Sequence, residues 1–208
     1  MSQLTVLGRV TSINVRKVLW TADEIGLEYV REDWGLPLRD PAEPQFRQLN
    51  PNSQVPVIIE GDFVLWESNA IIRYLAQRHQ SALLPTGHRA QAVMEQWLGW
   101  QSTDLNATWG YAVNALIRKT PGFGDAERVR GSVEKWGARM QVLEDRLAAT
   151  GSYVAGESFS LADIALGLSV HRWLSAPFDK PALPAVARYY ELLQQRAAGR
   201  PYLGPETP

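Results

Sequence analysis

The chain contains no cysteine. That excludes a disulfide framework, a thiolate metal site and a nucleophilic cysteine of its own. Any sulfur chemistry here has to use a ligand's sulfur. Histidine is scarce: His79, His88 and His171 stand far apart without zinc-ligand spacing, so no metal site is expected. No excess of one charge sign is present either. A formal net charge of −1 exerts no long-range pull on nucleic acid or on an anionic membrane. No apolar run approaches the ~20 residues of a spanning helix. The opening Met1-Ser2-Gln3-Leu4-Thr5 has no basic stretch leading into an apolar core. A soluble, cytoplasmic protein with neither nucleic-acid nor membrane partners is expected. A Walker loop, a Gly-x-Gly-x-x-Gly and a Gly-x-Ser-x-Gly are also missing. What remains is an ordinary globular balance, 45% hydrophobic and 21% charged over 208 residues, enough for one large domain or two small ones.

The first 80 residues alternate short β-like runs with helical ones. Leu4-Thr5-Val6-Leu7 reads as a strand. Val15, Val18, Leu19, Ala22 and Ile25 recur at helical spacing, and Gly26 suits the helix end. Tyr29-Val30 reads as a second strand, parallel to the first across that helix. The stretch from Gly35 to Pro44 reads as a loop. Val55-Pro56-Val57-Ile58-Ile59 and Phe63-Val64-Leu65-Trp66 flank Glu60-Gly61-Asp62 and predict an antiparallel hairpin. A helix follows with Ala70, Ile71, Tyr74 and Leu75 on one face, and Ser68 is its N-cap candidate.

Beyond a linker at 81–87 the pattern is helical throughout. A long helix begins with Met94, Trp97, Leu98 and Leu105. A second runs from about Asp125 to Ala149 and stops at Gly151. A third starts at Ser160, where Ser160-Leu161-Ala162-Asp163 forms a capping box with Asp in the acidic position. A fourth runs from about Pro184 to Arg196. The expected division is a first domain at 1–80 and an all-helical domain at 88–208.

Three segments carry a resemblance: Gly8-Arg9-x-x-Ser12-x-Asn14-Val15-x-Lys17-Val18-Leu19-Trp20, Asn50-Pro51-Asn52-Ser53-Gln54-Val55-Pro56-Val57-Ile58, and Trp66-Glu67-Ser68-Asn69-Ala70-Ile71-x-x-Tyr74-Leu75. With the Ser160 box, in this order, the chain resembles the cytosolic glutathione transferase family, and its start is similar to the bacterial theta-like or nu-like branches. The resemblance implies a thioredoxin-like α/β domain of order β-α-β-α-β-β-α with a mixed four-stranded sheet, followed by an all-α bundle. It implies a cytoplasmic homodimer that takes glutathione as co-substrate, without a metal, and conjugates it to small hydrophobic electrophiles in detoxification. Ser12, supported or replaced by Asn14, would hydrogen-bond the glutathione sulfur. Val55, before a cis Pro56, would pair with the cysteinyl backbone, and Gln54 would reach the glycyl carboxylate. Ser68 would take the γ-glutamyl carboxylate and Glu67 the ammonium. Arg9, Trp109 and Tyr111 are candidates for the acceptor pocket. Two other readings stay open: a nu-like glutathione-dependent disulfide reductase or peroxidase, and a non-catalytic glutathione-binding or structural protein.

Overall fold

The computed structural model describes residues 3–204, which fall into two compact units. The first unit is built on a four-stranded sheet in the order β2-β1-β3-β4. Here β1 is Leu4–Leu7, β2 Tyr29–Glu32, β3 Val57–Glu60 and β4 Phe63–Trp66. β1 runs parallel to β2, joined by α1 (Ile13–Glu24), and antiparallel to β3, which turns into β4 through Gly61. A short α2 (Pro44–Leu49) and α3 (Ser68–Arg78) complete the expected β-α-β-α-β-β-α order and mixed sheet. The stretch read as a loop ends where α2 begins, with Pro44 in its first turn, a position that needs no N–H donor.

Strand alternation sends the two sheet faces to different partners. Leu7 and Val57, opposite each other in register, pack with Trp34 and with Phe46 of α2. α1 and α3 pack against each other, and Val15, Val18, Leu19, Ile71, Ile72 and Leu75 on them are buried.

The first unit also takes in the tail from Ala197, which the sequence reading assigned to the helical domain. Gly199 lies so close to the Trp20 ring that an added Cβ would sit 2.5 Å from Cζ2. The Tyr202 ring stacks on Trp20 at a centroid distance of 6.4 Å. Arg16, fully buried, donates to the Tyr202 carbonyl at 3.1 Å. The Tyr202 hydroxyl donates to the Asp23 carboxylate.

The second unit has no strand element among its described residues, only an isolated bridge between Tyr153 and Gly156. α4 (His88–Trp100) and α5 (Asn106–Ala112) are joined by a π-helical turn at Gln101–Leu105, and a second π turn, Val113–Ile117, follows α5. α6 (Ala126–Thr150) starts on Asp125, whose carboxylate accepts from the Glu127 and Arg128 amides, and stops at left-handed Gly151. α7 (Leu161–Ser175) is buried along nearly all its length. α8 (Pro184–Gln194) is capped from α6: buried Glu144 accepts from the Ala185 and Val186 amides at 2.9 and 2.8 Å. Trp136 sits at the centre with Trp109, Trp173 and Phe178 edge-on around it. No helix among the described residues is long and apolar enough to cross a membrane.

Candidate active site

β1 ends at Gly8, where φ is +157 and an added Cβ would lie 2.4 Å from Val15 Cγ2 and 3.3 Å from Val55 Cβ. Only glycine lets the strand end, the first turn of α1 and the loop before β3 approach this closely. The chain then returns through Arg9, whose carbonyl accepts from the Ser12 amide at 3.1 Å, into α1. Ser12 is the N-cap, but its hydroxyl makes no capping hydrogen bond. The first turn of α1 holds no acidic residue. Its open amides therefore present an uncompensated positive helix end at Ser12 and Asn14.

The second wall is the loop before β3. Buried Asn50 braces it, donating to the Gln54 carbonyl at 2.7 Å and accepting from the Asn52 amide at 3.0 Å. The Val55–Pro56 peptide is cis, as the resemblance implied, and Leu36–Pro37 is cis as well. The Val55 backbone N–H and C=O take part in none of the hydrogen bonds among the described residues.

The third wall is the start of α3, and here one expectation is corrected. Glu67, not Ser68, is the N-cap. Its carboxylate accepts from the Asn69 amide at 3.1 Å and the Ala70 amide at 2.8 Å. A glutamate has the reach to cap because the backbone at Glu67 turns through φ +78. Ser68 becomes the first helical residue, buried, with its hydroxyl unpartnered among the described residues.

Asn14, Gln54, Val55, Pro56, Glu67 and Ser68 converge on one cleft of about 140 Å³. Ser12 is not among the lining residues, although it lies two positions from Asn14. Asn50, Asn52 and Trp66 also line the cleft and were not foreseen. The Asn-Pro-Asn turn beside Val-Pro was the available signal. A larger depression of about 340 Å³ lies at the opposite end of β1, against Leu4, Leu27 and His79, and holds none of these residues. The smaller cleft is the candidate site because hydrogen-bonding groups from three elements meet there.

The acceptor-pocket candidates are not gathered with them. Arg9 donates to the Thr11 hydroxyl at 2.7 Å and lies along Gly35. Trp109 is 5% exposed, edge-on to Trp136 and under the Arg172 guanidinium. It packs within the core of the helical unit. Tyr111 packs on Phe123, carries Arg128 over its ring and accepts from the Asp125 amide. Among the described residues no group of three or more His, Asp or Glu side chains is placed to hold a metal ion.

Comparison with known proteins supplies the family context. The family model described as the glutathione S-transferase N-terminal domain matches residues 2–77. The model of the glutathione S-transferase C-terminal domain matches residues 126–192. Among curated relatives, Glutathione S-transferase GstB of Escherichia coli is 30% identical over 200 residues, covering 95% of this chain and 96% of its own. Glutathione S-transferase 3 of Zea mays is 32% identical, covering 97% and 91%. Among solved structures, the theta class glutathione S-transferase of Xanthomonas axonopodis pv. citri with glutathione bound superposes with a TM-score of 0.91 at 33% identity, covering 98% of each chain.

Proposed function

This chain belongs to the glutathione S-transferase family and is a glutathione transferase; from that premise we propose that Ser12 and Asn14 activate the glutathione thiol for attack on small hydrophobic electrophiles. The observation that carries the reading is the convergence of Asn14, Val55, Glu67 and Ser68 on one cleft beside an open helix N-terminus. The Ser68 hydroxyl and amide, left open by the Glu67 cap, suit the γ-glutamyl carboxylate. Two of about four acceptor positions on the Glu67 carboxylate are occupied by amides, which leaves room for the γ-glutamyl ammonium. The open Val55 N–H and C=O suit the cysteinyl backbone, and Gln54 the glycyl carboxylate.

A free thiol has a pKa of about 8.5, so lowering it by about two units requires roughly 2.7 kcal/mol. One hydrogen bond to the charged sulfur supplies about 1.5–3 kcal/mol, and the α1 dipole adds about 0.3–1. In the reaction the thiolate forms a carbon–sulfur bond at the electrophile, and the displaced group leaves with its electron pair. The test is a pH titration of thiolate absorbance with glutathione bound. A pKa well below that of free glutathione is expected, together with turnover of an aromatic halide. A bound thiol that titrates at its solution value would overturn the proposal.

One observation favours a second reading: Asn14 rather than Ser12 lines the cleft. If Asn14 is the principal donor, the chain follows the disulfide-reductase pattern: the bound thiolate attacks the substrate disulfide and expels one thiolate, then a second glutathione thiolate attacks the glutathione sulfur of the mixed disulfide, expelling the other thiolate and leaving glutathione disulfide. Faster turnover of a small disulfide than of an aromatic halide identifies it. We also propose a homodimer, checked by light scattering.

A further inference from the structure

α1 carries a buried cation to which the assignments above give no role. Lys17 is 1% exposed. Its ammonium donates to the side-chain carbonyl of Asn69 at 3.3 Å. Asn69 follows Ser68 in the first turn of α3, and its amide is the one that donates to Glu67 at 3.1 Å. Lys17 also lies one helical turn beyond Asn14, on the same side of α1. It therefore ties together α1 and the first turn of α3, two of the elements that line the cleft.

Packing alone does not explain a lysine here. Buried residues beside it on α1, among them Val15, Val18 and Leu19, are apolar. An apolar residue of similar size would fill the space without the desolvation cost of an ammonium, which is several kcal/mol. The charge balance of the cleft supplies a reason. Among its lining residues only Glu67 is ionisable. Glutathione brings two carboxylates and, once ionised, a thiolate against a single ammonium, so Glu67 favours its ammonium but not its net negative charge.

We propose that Lys17 is a positioning residue of the glutathione site: its ammonium holds the Asn69 side chain, and with it the Glu67-Ser68 cradle, while its fixed positive charge offsets Glu67 beneath an anionic ligand. The proposal rests on the glutathione reading of the cleft.

The experiment uses the full chain and four proteins: wild type, Lys17→Met, Lys17→Arg and Asn69→Ala. Calorimetry gives the Kd for glutathione and for S-methylglutathione, and thiolate absorbance gives the bound thiol pKa. Wild type is read first: if it fails to lower the thiol pKa, the catalytic reading fails whatever Lys17 does. With that reading intact, Lys17→Met is expected to weaken both ligands about 5- to 20-fold and raise the thiol pKa by about half a unit or more. At saturating glutathione and a pH above the thiol pKa, its kcat should return to within about twofold of wild type while KM stays raised. Lys17→Arg should recover most of the affinity. Asn69→Ala should weaken binding but move the thiol titration less, because the charge remains. Wild-type Kd and titration in a folded Lys17→Met overturn the proposal, as does equal damage in Lys17→Met and Lys17→Arg with Asn69→Ala unaffected. Should Lys17→Met not fold, Asn69→Ala decides alone, and a wild-type Kd in it overturns the proposal.

Discussion

Glu67 holds its backbone at φ +78, in the left-handed region that side chains rarely adopt, and folds its carboxylate back onto two helix amides. The strain and the cap oppose each other, so substitutions should separate them. Glu67→Ala keeps the strained φ and loses the cap, and is expected to lower stability by about 1–2 kcal/mol. Glu67→Gly loses the cap without the strain and should be the more stable of the two. Both should bind glutathione more weakly than wild type. Urea denaturation and calorimetry check the pair; an Ala variant at least as stable as the Gly variant would refute the strain argument. At the sulfur, Ser12→Ala should cut turnover about 10- to 150-fold if Ser12 is the main donor. Asn14→Ala should do more damage if the donor is Asn14, and the two rates together choose between them. Most of this site was legible from residue types in order, because each wall is a short contiguous segment. The cap was misplaced by one residue because serine is the commoner N-cap, and a glutamate's reach depends on a φ that sequence does not display. The packing of Trp109 on Trp136 was not legible for a different reason: helical spacing shows that a tryptophan lies on a face, not which neighbours enclose it.

At the scale of elements, α6 was readable at both ends, since Asp125 and Gly151 are terminal signals with local causes. The π turns flanking α5 were not, since nothing in their residue types marks them. α7 carries the strongest element-level prediction. Asp163 at its start is fully buried and accepts from the Val154 amide, the Ser160 amide, the Ser160 hydroxyl and the Tyr189 hydroxyl. Asp163→Ala strands these donors in the interior and should cost about 3–5 kcal/mol. Burial raises the Asp163 pKa to about 6, while the hydrogen bonds pull it the other way. A carboxyl whose pKa is raised on folding contributes most below its unfolded value and loses that contribution as pH rises through the folded value. Relative to Asp163→Asn, wild type should therefore gain stability as pH falls from about 7 toward 4, by on the order of 3 kcal/mol. Urea midpoints of both proteins across that range give the difference directly, and a flat difference would sink the assignment.

Across the whole molecule, the feature least visible in the sequence is the return of the tail to the first unit. A short Gly- and Pro-containing segment carries no periodicity that would reveal its docking site. Its fit depends on Gly199, where any Cβ meets the Trp20 ring. Gly199→Val should lift the tail and lower stability by about 1–3 kcal/mol, and limited proteolysis should then cleave near Ala197. A variant as resistant as wild type would show that the tail tolerates the crowding.

That docking has a consequence for the order in which the protein is made. Arg16 and Tyr202 are separated by 186 positions, so the ribosome delivers α1 long before the residues that cover it. The first unit emerges first and is completed last, after all of the helical unit has been synthesised. During that interval the Trp20 indole, fully buried in the finished protein, lacks the stacking face of Tyr202. A chain interrupted before Ala197 keeps that aromatic surface uncovered, and chaperones and proteases act on exposed surface of this kind in nascent chains.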